Sequence, residues 1–427
     1  MGYSRFIAKR LLLQNKRGFS AFIARLAILA IAISTAIMLI ATSLVSGFQQ
    51  EIAHKAFGFF GHLHITELAA RNLTESSPMD QDHAMMARIA EAKDVEAVFP
   101  VVYSAGILSH EEFEDGIALR GVDQEDALQT IKEYIIEGDV PPLTDSVWKD
   151  GILLSKISCE RLNASLGDTL RFRFSSSKGL VRYRNLSIIG IYNTGLYEID
   201  EKFALCTSNL SRSFLEWSDE QVSGYEIFLD PQAILQPKYL AYLNTLLGSA
   251  EVDELSTAYA AIDVHVPPSL TLQTMKDIKP SMFNWLSMMN TNEIVILLLM
   301  LIVAAVNMIT AMLCLILDRT KMIGLLKALG STKSMTRRIF LWKGLFIVGL
   351  GIVLGNAIGL GLAYTQIEWG WITLPEKAYY VSKAPLSIDM VWIVIINCFS
   401  IVWSTLVLFL PLSLINRIQP VRALRFA

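Results

Sequence analysis

Few residues in this sequence have types and spacing that could support chemistry. His62 and His64 alternate along the chain, so they would share one face of a strand and could in principle hold a metal ion. No carboxylate or cysteine stands at ligand spacing beside them. We therefore expect ordinary strand histidines and no metal site.

The acidic segment Tyr197 to Glu201 resembles a catalytic cluster in composition, but a solvated turn accounts for it better. No GxSxG or HExxH motif occurs in the sequence. The nearest glycine–lysine stretch, Gly324 to Lys333, lacks the GxxxxGK[ST] pattern whose backbone amides cradle phosphates. We expect a chain that is not an enzyme, has no catalytic residues, binds no cofactor and does not hydrolyse ATP itself.

The four cysteines include no CxxC pair. Cys314 and Cys398 lie in apolar runs, where they should act as small hydrophobic residues. Cys159 and Cys206 share the polar region and could form a disulfide if that region is exported. Their spacing does not demand one.

The composition indicates a protein that is part membrane and part water-facing. Apolar residues make up 53% of the 427-residue chain, which is high for a soluble protein, whereas 18% charged residues are too many for a chain wholly in lipid. The formal net charge of -3 conceals an asymmetry, because lysine and arginine cluster in three short segments. No basic domain is left for nucleic-acid binding.

Four apolar runs are long enough to span a bilayer, and a long polar interval separates the first two. The predicted fold class is an α-helical integral membrane protein with four transmembrane helices and one large mixed α/β periplasmic domain inserted between helices 1 and 2. A cleaved signal peptide is the competing interpretation of the first run, but that run is longer than an ordinary signal-peptide core and no clean A-x-A site follows it. The predicted segments are an amphipathic N-terminal helix over 1–20, spanning helices over 21–48, 291–317, 339–364 and 390–414, the α/β domain over 49–290, a cytoplasmic coupling segment over 318–338, a periplasmic loop over 365–389 and a cytoplasmic tail over 415–427.

Inside the α/β domain, short runs rich in β-branched and aromatic residues alternate with helical stretches. The predicted strands are 62–65, 98–103, 117–119, 169–174, 186–191 and 225–229, and the predicted helices are 85–92, 156–163 and 239–247. Their order in a sheet does not follow from the sequence.

The segment from Asp318 to Arg338 is basic and helix-forming, and it lies between two apolar runs. Its apolar residues recur at i, i+3, i+4 and i+7, which is typical of one face of an amphipathic helix. That face comprises Met322, Leu325, Leu326 and Leu329, with Lys321 and Lys327 beside it and Gly330 ending the helix. Such a helix would lie across the inner membrane surface and could fit a groove on a cytoplasmic partner. A loop that only satisfies the positive-inside rule is the alternative.

Gly351, Gly355 and Gly359 stand at every fourth position of the third apolar run. Small-xxx-small spacing lets a second helix approach closely, although glycine is also common in membrane helices generally. We expect a helix contact on this face.

Charge in the loops sets the orientation. The N-terminus, the segment after the second span and the C-terminal tail are rich in lysine and arginine, while the loop from Gln366 to Asp389 is not. We expect both termini on the cytoplasmic side of the membrane and an outward-facing large domain.

Several segments resemble the FtsX-like permeases of type VII ABC transporters, and within these the lipoprotein-releasing LolC/LolE family. The resemblance rests on FSAFIARLAILAIAIS at 19–34, SGFQQEI at 46–52, ALRGVD at 118–123, GILLSKISCERLNASLGDTLRF at 151–172, IIGIYNTGLYEIDEKFAL at 188–205, KMIGLLKALGST at 321–332 and QPVRALRF at 419–426. The last two are similar across the superfamily, including MacB-type mechanotransmitters. They therefore favour the fold rather than a particular cargo.

The resemblance implies a location in the inner membrane of a bacterium, and it implies the partners and the activity. A cytoplasmic ABC ATPase dimer would use ATP and magnesium, and a second FtsX-like permease, identical or related, would complete the membrane part. Lipoproteins would be extracted from the outer leaflet and passed to a periplasmic lipoprotein carrier. A MacB-like efflux permease and an FtsX-like regulator of cell-wall hydrolases are the alternatives.

The resemblance also implies sites. Residues of the coupling segment, Lys321, Met322, Leu325, Leu326, Leu329 and Gly330, would dock on the ATPase. A lipoprotein cavity between the first two spans would be lined by Leu39, Thr42, Leu44, Val45, Phe48, Ile296, Leu299 and Met300. A carrier-binding hairpin would comprise Ser175, Lys178, Gly179, Leu180, Val181 and Arg182, which is shorter than the family's hook and has fewer apolar residues at its tip.

Overall fold

The computed structural model describes residues 19–68, 77–175, 180–230, 254–379 and 381–413. These residues fall into two compact units. The helical unit comprises the described parts of Met1–Gln49, Leu286–Ile372 and Lys383–Ala427, and the sheet unit comprises those of Gln50–Trp285 and Thr373–Ser382. The N-terminal helix predicted over 1–20, the helix predicted over 239–247 and the tail over 415–427 lie wholly or almost wholly outside the described residues.

The elements alternate between helix and strand only in the sheet unit. The described helices are α1 (Phe19–Phe60), α2 (His83–Ala90), α3 (Gln129–Lys132), α4 (Lys156–Leu162), α5 (Tyr197–Asp200), α6 (Ser208–Leu215), α7 (Glu254–Asp263), α8 (Met275–Ile278), α9 (Pro280–Asp318), α10 (Thr320–Ala328), α11 (Lys333–Trp369), α12 (Glu376–Tyr379) and α13 (Met390–Ser413). The described strands are β1 (Leu63–Glu67), β2 (Met79–Asp80), β3 (Val95–His110), β4 (Phe113–Val122), β5 (Ile135–Gly138), β6 (Gly151–Ser155), β7 (Thr169–Ser175), β8 (Val181–Tyr192), β9 (Phe203–Thr207), β10 (Gln221–Val222), β11 (Gly224–Leu229) and β12 (Leu270–Thr274).

Within the described part of the chain, four helices are long and apolar enough to cross a membrane: α1, α9, α11 and α13. Two of them run well past the predicted spans, since α1 continues to Phe60 and α9 already begins at Pro280. The physical reason is that a hydropathy pattern reports where apolar sequence ends, whereas a helix continues as long as its backbone bonds are made.

Local sequence explains where the helices around the coupling segment begin and end. Gly330, at a φ of +90°, follows α10, and the amide of Ser331 donates to the carbonyl of Leu326. This left-handed stop is one that glycine adopts without strain. Thr332 caps the start of α11, because its side chain accepts from the amide of Met335.

Strands in the sheet unit close a six-stranded ring. Each strand of the ring pairs with the next in the order β3, β4, β9, β6, β8 and β7, and β7 pairs back with β3. The pairs β4 with β9 and β6 with β8 are parallel, and the others are antiparallel. The buried side chains of these strands pack with α4 and α6 in one core, whose largest members include Phe172, Phe174 and Phe214.

The sheet then continues outside the ring through β11, β1 and β12. A second core lies there, where Ile65, Val102 and Ile227 pack with Ile89 of α2 and Ile262 of α7. The N-terminus of α2 is capped by Asp82, whose carboxylate accepts from the amide of Met85 at 2.9 Å.

All six predicted strands overlap described strands, several of which extend well beyond the predicted bounds. Besides the two-residue strands β2 and β10, four described strands of four or five residues were not predicted. Two of these, β6 and β9, are almost wholly buried, so their sequences GILLS and FALCT show no alternation between apolar and polar residues. Such short apolar runs cannot be told from buried helix by periodicity. The strands β5 and β12 are sheet edges with few buried residues, so their burial pattern is weak.

Candidate functional site

Helix α10 occupies the predicted coupling segment and divides its side chains between two faces. Ile323 is fully buried and lies in the core of the helical unit with Ile316 and Phe340. Leu325 and Leu329, by contrast, are 52% and 77% exposed. The helix is therefore attached by one face and presents apolar surface on the other.

The remaining members of the predicted set lie at intermediate or exposed positions. Met322 packs at the edge of the core of the helical unit, Leu326 is half-buried, and Lys321 and Gly330 are exposed. Ile323 was missed because the apolar stripe at i, i+3, i+4 and i+7 leaves it out. The available signal was an apolar β-branched residue directly after Met322, on a helix between two membrane spans.

The glycines of α11 face α1 at close range. A Cβ on Gly351 would stand 2.7 Å from the Cβ of Ile31, and one on Gly355 would stand 2.7 Å from the carbonyl oxygen of Ala32. At Gly359 the nearest atom, in Ala36, would be at 3.1 Å. Real side chains do not tolerate the first two distances, so only glycine permits this backbone approach.

The residues predicted to line the lipoprotein cavity do not all lie on one shared surface. Leu39 and Met300 pack in one cluster, but Ile396 of α13 is part of it as well. Thr42 and Leu39 line a small recess with Asp389 and other residues at the start of α13, and not with α9. Of the predicted set, the structure thus brings Leu39 and Met300 into one cluster, and the role of the whole set as a lipoprotein cavity stays a prediction.

The other predicted cavity residues differ in how far they are exposed. Val45 and Phe48 are buried and Leu44 is half-buried, whereas Ile296 and Leu299 are exposed. The reason is that α1 packs on α11 and α13 as well as on α9, and apolar character alone does not tell which of these helices a residue of α1 meets.

Polar side chains link the long helices of the helical unit. The amides of Asn356 and Asn397 donate to each other across α11 and α13, at 3.0 and 3.1 Å. The amide of Gln49 donates to Asn290 at 2.7 Å, joining α1 to α9. In an apolar surrounding such reciprocal bonds fix which helix faces meet.

Strands β7 and β8 form the predicted hairpin, with Ser175 directly opposite Val181. Leu180 and Val181 are more than half exposed, and Arg182 forms an ion pair with Glu216 at 2.8 Å. Lys178 and Gly179 lie outside the described residues. The described part of the hairpin thus carries a small exposed apolar surface beside a paired arginine.

The acidic segment is not the solvated turn that the sequence suggested. Asp200 is fully buried, and its carboxylate accepts from the Thr194 hydroxyl at 2.7 Å and from the Gly195 amide at 3.0 Å. Its backbone carbonyl accepts from the hydroxyl of Ser155. These bonds hold the turn before α5, so residues 194–200, TGLYEID, of the family-like segment at 188–205 have a structural role. The sequence predicted a solvent-exposed carboxylate because runs of acidic residues are usually exposed.

Burial raises the pKa of Asp200 to about 6, against hydrogen bonds that favour the charged form. A carboxyl whose pKa is higher in the folded state stabilises the fold most below its ordinary pKa, and that stabilisation is lost as pH rises through about 6. We expect the wild type to lose roughly 2–3 kcal/mol relative to Asp200→Asn between about pH 4 and pH 6. Unfolding of the purified chain at several pH values would measure this, and a pH-independent difference would show that the carboxylate is hydrated.

The two strand histidines, His62 and His64, and the two cysteines of the sheet unit, Cys159 and Cys206, are buried. The Leu229 amide donates to Nδ1 of His62 at 3.0 Å, and burial lowers the pKa of both His62 and His64 to about 4. Among the described residues no group of three potential ligands that could hold a metal is found. Cys159 and Cys206 are not bonded to each other, and burial raises the pKa of each thiol to about 12.

A buried charge cluster is the main feature that the sequence did not predict. Arg120 and Glu226 are both fully buried and form a two-point ion pair, in which Nε of Arg120 donates to Glu226 at 3.0 Å and Nη2 donates to the second carboxylate oxygen. The Tyr103 hydroxyl donates to the same carboxylate at 2.6 Å. Arg120 stood in the recognised ALRGVD motif, but nothing in the sequence of β11 marked Glu226 as its partner.

Comparison with known families gives two matches that together cover most of the chain. Residues 294–420 match the FtsX-like permease C-terminal family, and residues 25–233 match the MacB-like periplasmic core domain. The family resemblance that the motifs predicted is confirmed, as is the expectation of apolar helices together with a large domain of this kind.

Individual relatives extend the match over almost the full length. The chain is 24% identical to the lipoprotein-releasing system transmembrane protein LolC of Neisseria meningitidis serogroup B, over 99% of this chain and 98% of that protein. It is 20% identical to the lipoprotein-releasing system transmembrane protein LolE of Haemophilus influenzae, over 96% of each. The periplasmic region of MacB from Actinobacillus actinomycetemcomitans aligns with 53% of this chain and 95% of that chain, at 13% identity and a TM-score of 0.32, which is too low to support a structural argument.

Proposed function

We propose that this chain, which combines an FtsX-like permease C-terminal region with a MacB-like periplasmic core domain, is the permease subunit of an ABC transporter that releases lipoproteins from the inner membrane. The observation that supports the cargo is the match of 96–99% of the chain to relatives named as lipoprotein-releasing proteins. The permease would work in pairs, with an identical or related second copy, and both termini would lie in the cytoplasm.

The energy for release would come from a partner. Each buried methylene contributes about 0.8 kcal/mol to membrane binding, and a second acyl chain turns the marginal, reversible binding of one chain into stable anchoring. A protein with several such chains would not leave the bilayer at a useful rate unaided. ATP and magnesium would be used by a cytoplasmic ATPase dimer, and a periplasmic carrier would accept the released acyl chains.

Helix α10 is the proposed docking element for the ATPase. Its inner face is anchored by Ile323, and its outer face leaves Leu325 and Leu329, one helical turn apart, as an exposed apolar surface that a partner could cover. A groove on the ATPase would bury these two side chains, while Lys321 stays in water at the margin.

Leu325→Asp is expected to reduce ATPase stimulation and lipoprotein release about tenfold or more, because burying an unpaired carboxylate in an apolar contact costs more than about 1.4 kcal/mol. The chain should still insert and fold, since Leu325 is half exposed. ATPase rate and release in proteoliposomes measure the effect. Leu325→Met is the matched control and should behave as wild type. Undiminished stimulation in the aspartate variant would mean that α10 is not the docking element.

Depletion in cells tests the function as a whole. Loss of a releasing permease should strand outer-membrane lipoproteins in the inner membrane, which membrane fractionation detects. Loss of a regulator of cell-wall hydrolases should instead give chained or filamentous cells with normal lipoprotein sorting, and loss of an efflux permease should give neither. Either of the last two results would overturn the proposal.

A further inference from the structure

The end of α1 is held in the sheet unit by a cluster of aromatic and charged side chains, which we call the anchor cluster: Phe59, Phe60, Tyr103, Arg120, Phe203 and Glu226. Phe59 and Phe60 are the last residues of α1 and are almost completely buried. Their rings meet each other at 4.7 Å between centroids, and Phe60 meets Phe203 edge-on at 4.9 Å. The guanidinium of Arg120 lies 5.3 Å from the centroid of the Phe59 ring.

The cluster connects α1 to three strands at once. Tyr103 on β3 stands directly opposite Arg120 on β4, and Glu226 belongs to β11, which pairs with the other side of β3. The chain that leaves α1 is bonded to the same sheet, since the His62 amide donates to the Ile227 carbonyl at 2.8 Å.

The start of α9 reaches the same cluster. Nζ of Lys279, the residue before α9, lies 5.4 Å from the Phe203 ring and 5.9 Å from the Phe60 ring. Phe283 of α9 stacks on Phe57 of α1 at 5.9 Å. Two helices that are apolar enough to span a membrane therefore have their sheet-unit ends at one place.

Stability alone does not explain a buried ion pair at this place. Removing two charges from water is unfavourable, and well-packed apolar residues of similar volume often serve stability as well or better. The ion pair adds a fixed orientation. A guanidinium held by two bonds to one carboxylate has a fixed plane, and an aromatic ring that packs against it is held in place with it. Apolar side chains in the same space could slide past each other.

We propose that Arg120 and Glu226 are positioning residues of the transport cycle. They would lock the Phe59 end of α1 to β3, β4 and β11, and we call this attachment the joint. Displacement of α1 would then move the sheet unit instead of being absorbed at the joint. The inference rests on the proposed function, and it adds a role for two residues that touch neither ATPase nor cargo.

The test replaces the pair and its tyrosine by apolar residues of similar size, Arg120→Met, Glu226→Leu and Tyr103→Phe together. Amide hydrogen exchange of residues 53–60 in the full chain is expected to rise about tenfold or more, while the strands of the sheet unit stay protected. The matched control is Arg184→Met with Asp150→Leu, which removes a 2.7 Å ion pair between β8 and the residue before β6 and should leave that exchange unchanged. Unchanged exchange in the triple variant would overturn the proposal.

The second measurement is ATP-driven release of a triacylated lipoprotein from proteoliposomes that contain the permease and its ATPase. The triple variant should release about fivefold less or worse at an unchanged ATPase rate, which a merely structural role would not produce. Faster exchange with normal release would also overturn the proposal. If the wild type itself releases nothing, the proposed function fails, whereas the exchange result still decides whether the joint exists.

Phe59→Leu covers the case in which the triple variant does not fold. It keeps the ion pair and removes the ring that the guanidinium faces. It is expected to speed exchange at residues 53–60 and to lower release in the same way, and normal values of both would count against the joint.

Discussion

Glu226→Leu is expected to lower the free energy of unfolding of the sheet unit by about 3–5 kcal/mol. The variant leaves the Arg120 guanidinium fully buried without its counter-charge, and the Tyr103 hydroxyl loses its acceptor. Water cannot replace the lost carboxylate without opening the core. Hydrogen exchange of the slowest amides in β4 and β11 of the full chain measures this free energy.

Two controls separate an unpaired charge from a lost contact. The triple variant with Arg120→Met and Tyr103→Phe added should recover most of the stability, because no charge is then left in the core. Glu201→Leu breaks the ion pair with Arg161 at a partly exposed site and should change stability by about 1 kcal/mol or less. Equal effects of the two glutamate variants would show that water reaches Arg120.

Gly355→Leu is expected to disrupt the packing of α11 on α1. Its Cβ would meet the Ala32 carbonyl oxygen and the Thr35 Cβ, each at 2.7 Å, and backbone atoms cannot rotate away as a side chain can. Overpacking of this kind costs about 1–3 kcal/mol, and more where the backbone must move, so the unfolding temperature should fall by roughly 5 °C or more. Thermal unfolding of the purified chain in detergent gives the value.

Gly361→Leu on the same helix is the matched control. A Cβ at Gly361 meets no atom within 4 Å, so the larger side chain enters open space. We expect an unfolding temperature within about 2 °C of wild type, because surface substitutions outside special sites are usually nearly neutral. A drop as large as that of Gly355→Leu would mean that the glycine face does not carry the contact.

The site residues differ in how far the sequence could place them. The spacing of Gly351, Gly355 and Gly359 predicted a helix contact, but it could not say that α1 is the partner, because every long apolar helix offers a suitable surface. The amphipathic stripe predicted a helix over the coupling segment, whereas its attachment through Ile323 depends on which face the neighbouring helices cover. The cavity residues were predicted from their apolar character. Residues that face lipid, another helix or a cavity all share this property, so it does not distinguish between these environments.

The sequence by itself determined the alternation of long apolar runs with one large polar interval, the strands whose apolar and polar residues alternate, the turn at Gly330 and the resemblance to the permease family. These are local properties, because they depend on hydropathy, on periodicity and on backbone preferences of single residues. Only the tertiary structure decided that β7 closes a ring with β3, that Asp200 is buried beneath its turn, and that Arg120 finds Glu226 more than a hundred residues away. Pairings of this kind depend on which surfaces meet when the chain folds, and a buried charge reveals its partner only where both have left water.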